Sequence, residues 1–283
     1  MEHILIPTDF SRAAGNATDY ALSFFKGCGC AFQFLNTYTP DFINSRVMAV
    51  NPMAGMEEDH MQRRSEEGLK YLVERLERDF PDSGNTYKTY SSFSLLPEEI
   101  RERVAMGQAD LIVSGTAGAS GLKEVFMGSN TVRILRAAST CPVLVVPEEA
   151  SFSVPSEIGF ASDFTRPFTG AQLDVIHFFV KRFNSKLRIV HIGREDALNS
   201  LQQFHKKELF LELELLNPKM QWLNPETSKT ADLQKFVADA GIDLLVLIRN
   251  EYNPVEELLR EPVVKRMAFH TPIPLLVLPP ASL

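Results

Sequence analysis

Short apolar runs alternate along this chain with longer segments in which apolar residues recur every three or four positions. That is the pattern of βα units in a parallel sheet. In the first half the runs near 3–7, 31–37, 86–91, 110–115 and 142–146 read as strands. Ser11 stands as a helix N-cap before Ala14, Ala17, Ala21, Leu22 and Phe25, which share one face. A second helix turns Met61, Leu69, Leu72, Val73, Leu76 and Phe80 inward and sets Glu66 with Lys70, and Glu74 with Arg78, as i,i+4 pairs outside. A third runs from about Pro97 to Met106, and the last begins at Ser129 and carries Val132, Ile134, Leu135 and Ala138. Five strands and four such helices predict a doubly wound five-stranded parallel sheet with helices on both faces. Crossovers of one hand force a reversal of strand order within it.

The same pattern occurs twice. Ile4–Ser11 lines up with Ile158–Thr165, 154 positions later; Ala109–Val113 lines up with Ile242–Val246, 133 later; Cys141–Pro147 lines up with Ile273–Pro279, 132 later. Matches in one order at both ends and in the middle predict two α/β domains, 1–150 and 151–283, joined in the stretch from Glu148 to Ser156. The final strands, Val143–Val146 and Leu275–Leu278, are too apolar to be left at a sheet edge. They are expected to pair with each other across a pseudo-two-fold, an internal pseudo-dimer, and a further homodimer is left open. The offset falls from 155 to 133 between the second and third strands, so the first half carries about 22 extra residues. These are assigned to residues 39–60, either a long surface loop or a lid over a ligand.

Composition narrows the classes. The 283 residues carry 29 Lys plus Arg against 36 Asp plus Glu, a net charge of −7, with no basic block. Binding to nucleic acid or to an anionic membrane through bulk charge is not expected. The N-terminus has no basic segment followed by a long apolar core, and no stretch approaches the length of a membrane span, so a cytoplasmic protein is expected. Cys28, Cys30 and Cys141 match no zinc spacing. The six histidines form no spaced cluster, and His191, at the end of a strand, reads as a structural residue rather than a ligand.

Chemistry concentrates in one segment. Val113-Ser114-Gly115-Thr116-Ala117-Gly118 is followed after nine residues by Gly128-Ser129-Asn130-Thr131, beginning where an apolar strand ends and finishing where an amphipathic helix starts. Gly115 and Gly118 would let a ligand approach the backbone with no Cβ in the way. Gly128, Ser129 and Thr131 bring free N–H groups, two hydroxyls and the positive end of a helix dipole together, which suits a phosphate. The P-loop and G-x-G-x-x-G patterns are both absent. Plain turn chemistry is the competing explanation.

The spacing G-x2-G-x9-G-S, the opening Ile-Leu-Ile-Pro-Thr-Asp-Phe-Ser, and the closing Val132–Arg136 with Cys141–Val146 resemble the universal stress protein family over residues 1–147. Its tandem form carries two such domains in one chain, and the second half here resembles a diverged copy. In ATP-binding members, the resemblance implies, adenine lies beside Asp9, with Pro7 and Thr8, and against the backbone at Thr37. Ribose and phosphates lie along Ser114, Gly115, Gly118, Gly128, Ser129, Asn130 and Thr131. ATP is the expected ligand, with AMP and ADP as alternatives, and Mg2+ is held through the phosphates rather than by a protein metal site. Asn130 departs from the small apolar residue usual between the last Ser and Thr. Asp9 could instead cap the first helix, and Ser129 could serve as an N-cap alone.

After Leu247 the second half reads Ile248-Arg249-Asn250-Glu251, and no glycine occurs between Gly241 and Leu283. Side chains and the carboxylates of Glu251 and Glu261 replace the phosphate-binding glycines, so only the first half is expected to bind nucleotide. No nucleophile stands with an evident general base, so no catalytic residue is assigned and an efficient enzyme is not expected. The expected role is a stress-responsive nucleotide-binding or signalling module with an unidentified protein partner. A slow nucleotide hydrolase and a nucleotide-independent interaction module are the rivals.

Overall fold

A computed structural model of the chain describes residues 1–39, 54–81, 84–116, 129–249 and 263–281. In the first half, strands β1 (His3–Pro7), β2 (Ala31–Thr37), β3 (Thr86–Ser92), β4 (Leu111–Thr116) and β5 (Val143–Pro147) alternate with helices α1 (Arg12–Phe24), α2 (Ala54–Asp79), α3 (Leu96–Ala105) and α4 (Ser129–Ala137). The second half repeats the order with β6 (Glu157–Ala161), α5 (Gly170–Phe183), β7 (Lys186–Ile192), α6 (Ser200–Glu212), β8 (Lys219–Leu223), α7 (Lys229–Ala240), β9 (Leu244–Ile248), α8 (Val263–His270) and β10 (Leu275–Leu278).

The two five-stranded halves join edge to edge, as the pairing of their final strands predicts. Ten strands run in the order β3-β2-β1-β4-β5-β10-β9-β6-β7-β8, which reads as the same topology from either end. Neighbours are parallel except at the centre, where β5 and β10 pair antiparallel with Leu275 opposite Val145, Leu276 opposite Leu144 and Val277 opposite Val143. All six side chains are at most 2% exposed, so each apolar edge is closed by the other. On one face Ile4, Ile6, Phe32, Phe34 and their counterparts in the second half pack under α1, α2, α5 and α6. On the other, Leu5, Ile112, Val143, Leu245 and Val277 pack under α3, α4, α7 and α8. This alternation along each strand is what a sheet buried on both faces requires.

Aromatic packing continues the junction above the sheet. The Phe24 ring lies 4.9 Å from Phe179 and 5.0 Å from Phe183, and Phe25 stacks on Phe178 at 5.9 Å, which locks the end of α1 to α5. Arg182 donates to the carbonyls of Phe24 and Lys26, satisfying groups at the open end of α1.

Details of the backbone recur in both halves. Phe10 and Phe164 both take left-handed φ values, 61° and 57°, in the loop after the first strand. Each is held by a hydroxyl two residues back, since Thr8 Oγ1 accepts from Phe10 N and Ser162 Oγ from Phe164 N, both at 3.0 Å. Asp110 Oδ2 accepts from the main-chain nitrogens of Glu2 and His3 at 2.8 and 3.0 Å, as Asp243 does from Ser156 and Glu157 at 2.7 and 3.0 Å. Burial acts to raise the Asp110 pKa, but those two N–H donors and the nearby N-terminus outweigh it and hold the carboxyl below its ordinary value.

Three expectations are adjusted. Residues 54–60 are the first turns of α2, in keeping with the helix-favouring Ala54, Met56, Glu57 and Glu58, while residues 40–53 lie outside the described residues. On the outer side of α2 the ion pairs are Lys70 with Glu74 and Arg78 with Asp79, rather than Glu66 with Lys70 and Glu74 with Arg78. Exposed pairs differ too little in energy for spacing to select among them. In the second half β8 sits two residues further along than β3, with Lys219 opposite Arg188 where Thr86 lies opposite Ala31. A slip of two keeps every side chain on its face.

Candidate functional site

The order β2-β1-β4 marks where the chain reverses direction across the sheet, and α1 and α4 leave the carboxyl ends of β1 and β4 on opposite faces. Such a switch point opens a crevice at the strand ends. Pro7, Thr8 and Asp9 leave β1 there, Thr37 ends β2, Ser114, Gly115 and Thr116 end β4, and Ser129, Asn130 and Thr131 open α4. Eight candidates besides Ser129 thus have described positions along one edge: Pro7, Thr8, Asp9, Thr37, Ser114, Gly115, Asn130 and Thr131. Gly118 and Gly128 lie outside the described residues.

The loop after β1 is fixed by its own polar groups. Thr8 N donates to Leu35 O at 2.8 Å, and Thr8 O accepts from Asn36 Nδ2 at 2.7 Å, tying β1 to β2. Asp9 Oδ1 accepts from Ser11 N at 3.0 Å, and Ser11, not Asp9, is the N-cap of α1, accepting from Ala14 N at 3.3 Å. The exposed Asp9 carboxylate retains its second oxygen for a ligand.

Gly115 is explained by packing. A Cβ there would lie 2.2 Å from Ala13 O, 2.5 Å from Ala13 C and 3.0 Å from Ala14 N, so the first turn of α1 rests directly on β4. Thr131 Oγ1 donates to Gly115 O at 3.1 Å and lies 3.5 Å from Ser114 Oγ. Ser114 and Thr131 are 4% and 2% exposed, and their hydroxyls are turned inward to join β4 to α4. What these two residues offer a ligand is therefore the main chain and the position of the α4 N-terminus.

Thr116 was not among the sequence candidates. It is 3% exposed, and its Oγ1 has no hydrogen-bond partner among the described residues. A buried hydroxyl without a partner at a crevice edge needs one. Its signal in the sequence, a hydroxyl between two glycines of the motif, is indistinguishable from ordinary turn composition. Elsewhere, a depression of about 400 Å³ beside α1 is lined by Arg12, Arg75, Asp19, Glu148, Glu149 and others. Its guanidinium groups are already paired, Arg75 with Asp19 at 2.9 Å and Arg12 with Glu149 at 3.2 Å, so it does not compete as an anion site.

The corresponding edge of the second half is built differently. Asn16 Nδ2 donates to Pro147 O at 2.9 Å and Gln172 Nε2 to Pro279 O at 2.7 Å, which makes them equivalents. α1 begins four residues before Asn16, whereas α5 begins only two before Gln172. Ile248, opposite Leu278 as Gly115 is opposite Val146, is the counterpart of Gly115. At the end of β7, His191 Nδ1 bonds Ser162 O at 2.9 Å, as Asn36 bonds Thr8. Its ring stacks on Phe164 at 5.2 Å and meets Trp222 at 5.3 Å, occupying space with aromatic side chains. Among the described residues no group of three His, Cys, Asp or Glu is arranged to hold a metal, and no helix is long and apolar enough to cross a membrane.

Fold and edge together define an α/β protein with two doubly wound units fused through one sheet and a crevice at the switch point of the first. The model of the universal stress protein family matches residues 1–147, and the chain belongs to that family. Two universal stress proteins of Methanocaldococcus jannaschii are 27% identical over 156 residues, covering 52% of this chain and 96% of theirs, and 28% identical over 147 residues, covering 50% and 80%. Over nearly the full length, the crystal structure of a universal stress protein from Archaeoglobus fulgidus is similar, with a TM-score of 0.69, 15% identity, and coverage of 98% of this chain and 97% of that one.

Proposed function

We propose that this chain consists of two units, 1–150 and 151–283, and that the first binds one ATP, with AMP and ADP as competing ligands. The observation that carries this reading is the sequence motif G-x2-G-x9-G-S, whose first glycine, Gly115, and last residue, Ser129, stand at the switch-point crevice of a family fold, beside the buried Thr116 hydroxyl that has no partner among the described residues. Asp9, Pro7, Thr8 and the Thr37 main chain stand on the side assigned to adenine. Gly115, Thr116, Gly118, Gly128, Ser129, Asn130 and the Thr131 main chain serve ribose and phosphate. Mg2+ would enter with the phosphates, neutralising their charge. In the second unit Ile248, Glu251 and the His191–Trp222 pair replace these features, which supports a purely architectural role. The protein then acts in the cytoplasm as a stress-responsive module whose nucleotide occupancy is read by a protein partner.

Calorimetric titration with ATP, ADP and AMP in Mg2+ tests this. One site per chain is expected; no heat with any of the three removes the nucleotide reading and leaves an interaction module. Gly118→Asp should abolish binding, and Thr116→Val should weaken it, with thermal unfolding of the ligand-free protein nearly unchanged. Phosphate release on incubation with Mg-ATP should follow a flat time course; steady release lost in a bulky Ser129 variant would make the protein a slow hydrolase.

A further inference from the structure

The outer face of α6 carries a stripe of large apolar side chains among Gln203, Lys207, Glu208 and Glu212, where its counterpart in the first half is charged. Leu201 is 57% exposed, Phe204 54%, Leu211 67% and Leu215 84%, the last in the 3-10 turn Glu214–Leu216 that prolongs the helix. Their spacings of three, seven and four residues place them on one stripe, with Glu208 filling the position between Phe204 and Leu211. The inward side is already committed, with His205, Leu209 and Leu213 buried. On α2 the exposed face carries Arg63, Glu67, Lys70, Glu74 and Glu77. A solvated helix needs no such stripe.

At about 180 Å² for each large apolar side chain, these fractions leave about 450 to 500 Å² of apolar surface in one strip, at the level where exposed patches mark interaction sites. We infer that α6 is a self-association face on which a second copy of this chain docks its own α6 antiparallel. Complete cover of these four residues in both copies would bury about 900 to 1,000 Å², close to the minimum for a specific interface and in keeping with a weak, reversible dimer. The arrangement is isologous: about a two-fold at Glu208, Leu201 of one copy lies against Leu215 of the other, and Phe204 against Leu211. Two Glu208 carboxylates face each other at the crossing, which holds the dimer to modest affinity. The inference does not depend on nucleotide binding.

Sedimentation equilibrium between about 1 and 100 µM, the range suited to a small interface, reads the mass directly. The expected species is twice 31.8 kDa at the upper end. Leu211→Glu with Leu215→Glu should return it to 31.8 kDa with unchanged circular dichroism, Tyr71→Glu on α2 should leave the dimer intact, and Glu208→Gln should tighten it several-fold. In a Cys28→Ser background, Glu208→Cys should yield a disulfide-linked dimer under mild oxidant. A monomeric wild type throughout the range, a dimer that survives the double Glu substitution, or no cross-link through position 208 would each overturn the inference.

Discussion

Gly115→Ala is the substitution whose consequence the structure sets most directly. The added methyl would stand 2.2 Å from the carbonyl oxygen and 2.5 Å from the carbonyl carbon of Ala13, and both are main-chain atoms that no rotamer change can move. To restore contact distance the first turn of α1 must lift by roughly 1 Å, and α1 is anchored by buried Ala14, Ala17, Tyr20, Ala21 and Phe24. Overpacking of this kind costs about 1–3 kcal/mol, and at about 2–4 °C per kcal/mol the Tm should fall by about 2–12 °C. Gly15→Ala, two residues after Ala13 on α1, is the control: its Cβ would meet nothing within 4 Å, and alanine is favoured over glycine in a helix by about 1 kcal/mol, so its Tm should hold or rise. Thermal unfolding followed by circular dichroism compares the three proteins. A Gly115→Ala Tm within about 1 °C of wild type would refute the packing explanation and return Gly115 to a purely ligand-related role.

Two further outcomes follow from burial and charge. Cys28 is exposed, whereas burial pushes the thiols of Cys30 up to about 11 and Cys141 up to about 12, so one thiol per chain should react rapidly with a disulfide reagent in the native state and three after denaturation. Asp110 has its folded pKa held below the ordinary value, so the stability it contributes is complete above the unfolded pKa of about 3.9 and is lost as pH falls through the lower folded value. In Asp110→Asn the Tm decline below about pH 4 should be shallower than in wild type; an identical acid profile would show that the carboxylate charge is not used.

Much of the fold is legible in local pattern. The Ser11 N-cap, the strands and the start of α4 follow from periodicity and capping residues within a few positions of one another. The pairing of β5 with β10 follows because two apolar strands at domain edges have one way to be buried. The site was legible only as composition: glycines and hydroxyls at a strand–helix boundary. Their division of labour was not, because the inward turn of Ser114 and Thr131, the orphan hydroxyl of Thr116 and the contact of Gly115 with Ala13 join residues 17 to 102 positions apart or depend on what surrounds a side chain. The exposed stripe on α6 was hidden for a related reason. Leu201, Phe204, Leu209, Leu211, Leu213 and Leu215 look equally apolar in sequence, and only the packed sheet says which of them face inward.

The sequence by itself determined a duplicated α/β chain in which one half kept its motif glycines and the other lost them, because strand and helix periods and glycine placement are local properties. The tertiary structure alone decided that Phe24, Phe179 and Phe183 clasp the two halves above the shared sheet, and that Gly115 rests against the main chain of Ala13 where α5 starts later in the second half. Both depend on atoms far apart in sequence coming into contact, and close packing, not pattern, fixes which contacts are allowed.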